Sequence, residues 1–168
     1  MTVPRKHNLM LGLYPNTRGF AYALFEGAFA PVDWGVVEIR GKDSHKRCLR
    51  RIAVLLNYHE PDILVLQDTS DTGTRRARRI RNLNEAIAVL AETQGVATAA
   101  YSREQVRMCF GSALATKQAI AEAIARRVPM LERLLPAPRK LWTSEHPRMG
   151  LFDAAALVMT FFKTTIDN

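Results

Sequence analysis

The sequence predicts an α/β fold in which a five-stranded mixed sheet is flanked by helices. Three observations lead to this class: three short apolar segments near the N-terminus, alternating helix-like and strand-like periodicities after residue 41, and an apolar segment near residue 150. The chain has 168 residues, 48% apolar and 24% charged, a composition that suits one domain with a substantial core. We therefore expect a single domain over residues 1–168.

The first three apolar segments predict an antiparallel meander. Residues 9–13 form a continuous apolar run closed by Pro15 and Asn16, residues 19–25 form a second run, and residues 33–39 form a β-branched third. Their short connections favour antiparallel neighbours. We expect the first strand at the centre of the sheet, beside a fourth strand at residues 63–66.

The first two helices follow from apolar residues at a spacing of three or four. The segment from Cys48 to Leu56 predicts an amphipathic helix that ends before Pro61. A long helix is predicted to begin near Thr74 and to close at Gly95. The remaining segments predict, in order, a strand at residues 96–100, helices at 102–109 and 115–127, a loop at 136–147 and a buried helix at 150–162.

The composition excludes several classes of protein. No apolar run approaches the roughly 20 residues of a membrane span, and the run at residues 9–13 is too short for a signal-peptide core. We therefore expect a cytoplasmic protein without a membrane partner. Two cysteines, Cys48 and Cys109, provide neither a disulfide framework nor a zinc site, so both are interpreted as core residues.

Positive charge is in excess and is clustered. Lysine and arginine number 24 against 16 acids, which gives a net charge of +8 and favours a polyanionic partner. The guanidinium group binds phosphate oxygens bidentately, so a run of arginines without acids indicates nucleic acid. A solvated helix face is the alternative interpretation. The expected contacts in this run are Arg75, Arg76, Arg78, Arg79 and Arg81.

Four phrases in the chain resemble a known family. Residues 11–24 contain Leu-Gly-Leu-Tyr-Pro-Asn and Arg-Gly-Phe-Ala-Tyr-Ala-Leu, and residues 60–67 read Glu-Pro-Asp-Ile-Leu-Val-Leu-Gln. Residues 101–107 read Tyr-Ser-Arg-Glu-Gln-Val-Arg, followed by Gly111 and by Ala-Thr-Lys-Gln at 115–118; residues 152–158 read Phe-Asp-Ala-Ala-Ala-Leu-Val. Together they resemble the RuvC-type Holliday-junction resolvases of the ribonuclease H-like superfamily. The resemblance implies a ribonuclease H-like fold, DNA rather than RNA as the partner, and a homodimer.

The resemblance also implies a site that this sequence only partly contains. In that family, carboxylates on the first strand, the fourth strand and the final helix hold two divalent ions. By position, the first-strand acid falls on Tyr14, the fourth-strand acid on Gln67 and one closing-helix acid on Asp153. The other closing-helix position falls on Ala156 or Phe152, so one of four expected carboxylates remains. The DNA-facing segment of the family adds Arg103, Arg107 and Lys117 as expected contacts.

Three hypotheses follow. The first is a catalytically degenerate domain that binds branched or duplex DNA without a cofactor and without cutting it. The second is an endonuclease that uses Mg²⁺ or Mn²⁺ at a relocated acid set. The third is an assembly subunit whose basic face docks an acidic protein. The relocated acids of the second hypothesis would be Asp68, Asp71, Asp153 and Glu145.

These acids also have structural interpretations. Asp68 and Asp71 suit caps of the long helix, and Asp153 suits the N-terminus of the last helix. Tyr14 and Trp34 are interpreted as core aromatics rather than base-stacking residues. Tyr14, Gln67 and Asp153 are predicted to lie together at one end of the first and fourth strands.

Overall fold

The computed structural model describes residues 9–70, 76–112 and 115–166. The strands are β1 (Leu9–Asn16), β2 (Gly19–Glu26), β3 (Pro31–Glu38), β4 (Ile63–Gln67) and β5 (Ala97–Tyr101). The helices are α1 (Ser44–His59), α2 (Arg78–Thr93), α3 (Arg103–Cys109), α4 (Lys117–Arg127) and α5 (Met149–Ile166), and a 3₁₀ helix spans Pro129–Leu134.

The five strands form one mixed sheet in the order β3-β2-β1-β4-β5. β1 pairs antiparallel with β2 and parallel with β4, and β4 pairs parallel with β5. The predicted sheet, with β1 at its centre beside β4, is confirmed. Because β1 and β4 are parallel, their C-terminal ends lie at the same edge of the sheet.

β1 is longer than the sequence indicated. Pro15 was expected to close the strand, but β1 continues through it to Asn16 and pairs with β2 over this whole length. On its other side, β1 pairs with β4 only from Met10 to Gly12. Pro15 therefore lies where β1 has no partner on the β4 side, so its missing N–H removes no hydrogen bond from that ladder.

Strand alternation divides the core into two layers. Leu11 and Leu13 pack with α1 and α2 on one face of the sheet. Met10 and Tyr14 pack with α4 and α5 on the other face. α5 is buried on nearly all sides, as predicted for the segment at residues 150–162. None of the helices within the described ranges is both long enough and apolar enough to cross a membrane.

Gly12 lets α5 approach the central strand closely. A Cβ atom at Gly12 would lie 2.2 Å from the backbone oxygen of Ala154 and 2.7 Å from Cγ2 of Val158. Both distances are well inside van der Waals contact, so only glycine fits this crossing. Asp153 directly precedes Ala154, so this contact also fixes the distance between the backbone of Asp153 and β1.

α2 begins later than predicted. Its first residue is Arg78, and the preceding Ala77 has an extended conformation with φ −59° and ψ 145°. Thr74, where the helix was expected to start, lies outside the described residues. Arg76 therefore precedes the helix, and only Arg78, Arg79 and Arg81 of the arginine run lie on it. No side-chain cap marks the true start, so the sequence offered no signal for it.

The shorter helices begin at polar caps. Ser102 and Gln105 form a capping box at α3, and the Thr116 hydroxyl accepts from the backbone N–H of Ala119 at α4. The 3₁₀ helix after α4 was not predicted; it buries Leu131 against the α5 layer. Of the two cysteines, Cys48 is buried as expected, whereas Cys109 is only half-buried at the end of α3.

Candidate functional site

A cavity of about 570 Å³ opens where β1 and β4 end. Tyr14 reaches it from β1, Gln67 from β4 and Asp153 from α5, so the predicted grouping of these three residues is confirmed. Four basic side chains and two further acids also line the cavity. They are Arg76, Arg103, Arg107, Lys117, Asp68 and Glu104.

Strand alternation explains which side chains reach the cavity. Tyr14 lies two residues beyond Gly12 and shares the face of β1 that α5 covers. On β4, Gln67 lies two residues beyond Val65, which packs in the same layer, so both side chains face the side of the sheet that α5 covers. Asp68 would face the opposite layer if the strand continued, but β4 ends at Gln67 and Asp68 also lines the cavity.

Lys117 is the centre of the polar contacts in the cavity. Its Nζ lies 3.1 Å from Oε1 of Glu145 and 3.3 Å from Oδ2 of Asp153. The same atom lies 3.4 Å from the hydroxyl of Tyr14. The Lys117 side chain is 28% exposed and that of Asp153 is 15% exposed, so this ion pair is mostly withdrawn from water. An ammonium group thus lies between the carboxylates of Asp153 and Glu145.

Arg76 is a second cation beside Tyr14. Its guanidinium group donates to the Tyr14 hydroxyl and to the backbone oxygen of Pro15. Arg76 Cζ lies 4.5 Å from the centre of the Tyr14 ring, and Lys117 Nζ lies 5.2 Å from it. Both distances are within the range of cation–π attraction, so Tyr14 holds two cations as well as filling space.

The phenol of Tyr14 stays neutral near pH 7. Burial raises its pKa above the ordinary value of 10.0, and the negative charge of Asp153 raises it further. The charges of Arg76 and Lys117 oppose this shift without reversing it. Tyr14 therefore supplies no anionic oxygen where the resemblance implies a carboxylate.

The remaining acid titrates at an unusual pH. Burial raises the pKa of Asp153 to about 6; Lys117 works against this shift and Glu145 adds to it. Burial lowers the pKa of Lys117, but the negative charges of Asp153 and Glu145 outweigh burial and hold it above its usual value. Lys117 is therefore a fixed cation, while Asp153 is the group that changes charge.

The Asp153→Asn variant should reveal this titration. The carboxyl loses its proton near pH 6 when folded and near pH 3.9 when unfolded, so protonation favours the folded state. This stabilisation, about 3 kcal/mol, is complete below about pH 4 and is lost as the pH rises through about 6. At each pH, urea unfolding gives the free energy of unfolding of Asp153→Asn and of the unaltered protein. We expect the value for the variant minus the value for the unaltered protein to rise by about that amount from pH 4 to pH 7. A difference that does not change with pH would contradict this assignment.

The residues of the cavity do not fit the two divalent ions that the resemblance implies. Within the described ranges, no three His, Cys, Asp or Glu residues are placed to hold a metal ion. Hard cations need several carboxylate or carbonyl oxygens, whereas this site presents a neutral phenol, an amide and a lysine. The Lys117 ammonium already balances the charge of Asp153.

The structural interpretations of the acids need correction. Asp68 does not cap α2: its Oδ1 accepts from the backbone N–H of Ser70 at 3.0 Å and from the Ser70 hydroxyl at 2.5 Å, which closes the turn after β4. Asp153 does not lie in the first turn of α5, because that helix already begins at Met149. Asp71 lies outside the described residues.

The arginine run does not form one surface. Arg76 enters the cavity, whereas Arg79 donates to the Ser44 hydroxyl at the start of α1, 2.7 Å away. Arg78 is exposed on α2, and Arg81 is half-buried there. Arg75 lies outside the described residues. The cavity instead gathers cations that are far apart in sequence, and contiguity along the chain could not indicate this grouping.

Sequence reasoning missed one exposed apolar segment. In the loop after the 3₁₀ helix, Leu141 and Trp142 are exposed side by side. The signal was present in the sequence, because two large apolar residues follow Arg139 and Lys140 in a loop bounded by prolines. Trp34, the other tryptophan, packs partly buried against the core, as predicted.

Comparison with known proteins shows the fold. No family model and no curated protein sequence matches the chain. Among solved structures, it is similar to Thermus thermophilus RuvC, with 20% identity and a TM-score of 0.67 over 95% of this chain and 96% of that one. The same protein in complex with a Holliday junction substrate gives 19% identity and a TM-score of 0.70 over 96% and 97%. A fowlpox virus resolvase in complex with Holliday junction DNA is 12% identical to this chain. Its TM-score is 0.56, over 92% of this chain and 99% of that one.

The strand order and the helix packed across β1 define an α/β fold of the ribonuclease H-like class. Within that class, the chain has the RuvC-like resolvase fold. The fold that the four sequence phrases implied is therefore confirmed.

Proposed function

We propose that this chain binds branched DNA over the cavity and does not cleave it. The observation that carries the proposal is the position of Lys117, whose ammonium group bridges Asp153 and Glu145 beside the hydroxyl of Tyr14. An internal cation there pairs with both of these carboxylates, and it makes a cationic metal cluster at the same place electrostatically unfavourable.

Two properties support DNA as the partner. The solved structures with this fold include resolvases in complex with junction DNA, and the net charge of this chain is +8. Arg103 and Arg107 bring positive charge from α3 to the cavity, and Arg78 is exposed on α2. Such residues contact phosphates, so they position DNA without reading its sequence.

The absence of cleavage follows from charge. Two divalent ions carry four positive charges, and their sites are normally built from several carboxylates together with substrate phosphate oxygens. Of the positions that the resemblance assigns to acids, only Asp153 carries one, and it is paired with Lys117. The chain therefore needs no metal cofactor for the function proposed here.

One experiment tests binding and cleavage on the same samples. Fluorescent four-way junction and linear duplex are titrated with protein at several salt concentrations, with Mg²⁺ or Mn²⁺ added to parallel samples. We expect binding that weakens with salt, at a slope of about 0.9 per contacted phosphate on duplex DNA, and no product. Cutting of the junction that is abolished by Asp153→Asn would instead support the second hypothesis, whose acids Asp68 and Asp153 share the cavity.

Substitutions sharpen this test. Arg78→Ala combined with Arg103→Ala and Arg107→Ala should flatten the salt slope by up to about three phosphate contacts. Arg76 is left in place because Tyr14 and Pro15 hold it. Arg133→Ala, at an exposed position on the 3₁₀ helix, is the matched control. An unchanged slope, or no binding at low salt, would favour the docking of an acidic protein.

The homodimer that the resemblance implies is part of the same proposal. Sedimentation equilibrium of the purified chain, with and without junction DNA, measures it directly. A monomer at every concentration would remove the dimer from the proposal and leave DNA binding to be judged by the titrations.

A further inference from the structure

The segment at residues 136–147, here called the tryptophan loop, presents two large apolar side chains to water. Leu141 is fully exposed and Trp142 is 80% exposed. The backbone N–H and the hydroxyl of Thr143 both donate to the backbone oxygen of Lys140, at 3.1 and 2.9 Å. These bonds close a turn whose two central residues are Leu141 and Trp142, so the turn itself holds them outward.

Both ends of the tryptophan loop are fixed to the first turn of α4, where Lys117 lines the cavity. Near its start, the backbone oxygen of Pro136 accepts from Nε2 of Gln118 at 3.1 Å. Near its end, Glu145 pairs with Lys117 at 3.1 Å. Lys117 and Gln118 are the first two residues of α4. The loop is therefore held at both ends by α4, and Glu145, three residues after Trp142, contacts a residue of the proposed DNA site.

The positive charge beside Leu141 and Trp142 indicates which kind of partner this turn binds. Arg139 and Lys140 directly precede the apolar pair, and no acid lies between Lys140 and Glu145. Lys140 Nζ lies 5.6 Å from the centre of the Trp142 ring. An exposed aromatic ring beside two cations matches a polyanion that offers flat faces for stacking, which is the chemistry of nucleic acid. Intact duplex keeps its base faces stacked, whereas a branch point or a single strand exposes them.

We propose that Trp142 stacks on an unstacked base at the branch point of DNA bound over the cavity, while Arg139 and Lys140 contact the neighbouring phosphates. This inference rests on the proposed function and deepens it, because it makes Trp142 the residue that distinguishes branched from linear DNA. The phosphate contacts of α2 and α3 supply affinity for both forms, and the tryptophan loop adds affinity for the branched form alone.

The test compares Trp142→Ala with the unaltered protein on a four-way junction and on linear duplex of the same length. Loss of one stacked base should weaken junction binding by roughly 5- to 150-fold and leave duplex binding and its salt slope unchanged. Trp142→Phe should restore most of the junction affinity because it keeps a stacking face. Tyr58→Ala is the matched control, because Tyr58 on α1 is equally exposed, at 81%.

Fluorescence provides a direct readout. The chain has two tryptophans, so the Trp34→Phe variant leaves Trp142 as the single emitter. Junction DNA should quench that emission and protect it from acrylamide, whereas linear duplex should do neither.

The outcomes separate this inference from the proposed function. If the unaltered protein binds neither DNA at low salt, both fail. If it binds DNA but Trp142→Ala keeps full junction affinity, or loses affinity equally for junction and duplex, the stacking role is overturned while the proposed function stands.

Discussion

The Gly12→Ala variant is expected to lose about 3 kcal/mol or more of folding free energy, at the upper end of the usual cost of overpacking. The added Cβ would lie 2.2 Å from the backbone oxygen of Ala154, which cannot rotate away as a side chain could. Either α5 moves away from β1 or the strand bends. Both changes disturb the layer that contains Phe25, Val65 and Phe152. Urea unfolding, with the midpoint and the slope fitted separately, measures the loss.

Gly150→Ala is the matched comparison for this variant. A Cβ atom at Gly150 would lie 3.2 Å from Cβ of Ala21, a side-chain contact that a shift of a few tenths of an ångström relieves. We expect a change within about 1 kcal/mol, because alanine is also the better helix former. Equal losses in the two variants would show that the crossing at Gly12 is not the tight point of the fold.

The second large effect concerns magnesium. Tyr14→Asp with Gln67→Glu restores two acids, but we expect this double variant to gain little affinity, because Lys117 still lies among the carboxylates. Adding Lys117→Ala removes that cation, and each of the three substitutions makes the site more negative by one charge. The triple variant should therefore bind Mg²⁺ where the unaltered protein does not.

Thermal unfolding with increasing Mg²⁺ detects this binding. A ligand that binds only the folded state stabilises it by about 2.7 kcal/mol at about 100 times its Kd. The triple variant should show a rising midpoint and the double variant a nearly constant one, with Ca²⁺ as a second probe and NaCl of equal ionic strength as the control. Strong Mg²⁺ binding by the double variant would show that Lys117 does not exclude the ion. Cleavage is not expected even from the triple variant, because the groups that orient metal ligands are also missing.

The sheet was predictable because its signals are local. Continuous apolar runs marked β1 and β4, helical spacing marked α1, and a long apolar segment marked α5, so neighbouring residues carried the information. The start of α2 was not predictable, because Ala77 leaves the helical conformation without a polar cap to announce it. The passage of β1 through Pro15 was missed for a related reason: it depends on where β4 stops pairing, which is a tertiary property.

The site was predictable in position and not in detail. The resemblance placed Tyr14, Gln67 and Asp153 together, and the parallel pairing of β1 and β4 brings them into one cavity. The contact of Lys117 with Asp153 and Glu145 depends on where α4 starts relative to α5, which no spacing along the chain reveals. The sequence therefore indicated that acids were missing, but not that a lysine lies between Asp153 and Glu145.

The buried character of α5 has a consequence for how the chain is made. α5 follows every other described element in chain order, yet it packs against all five strands on one face of the sheet. During synthesis that face stays uncovered until α5 leaves the ribosome, so the nascent chain exposes an apolar sheet surface after its strands have been made. Such surfaces aggregate and recruit chaperones. Truncation within α5 should therefore yield insoluble protein, and slowing translation upstream of residue 149 should lower the soluble yield rather than raise it.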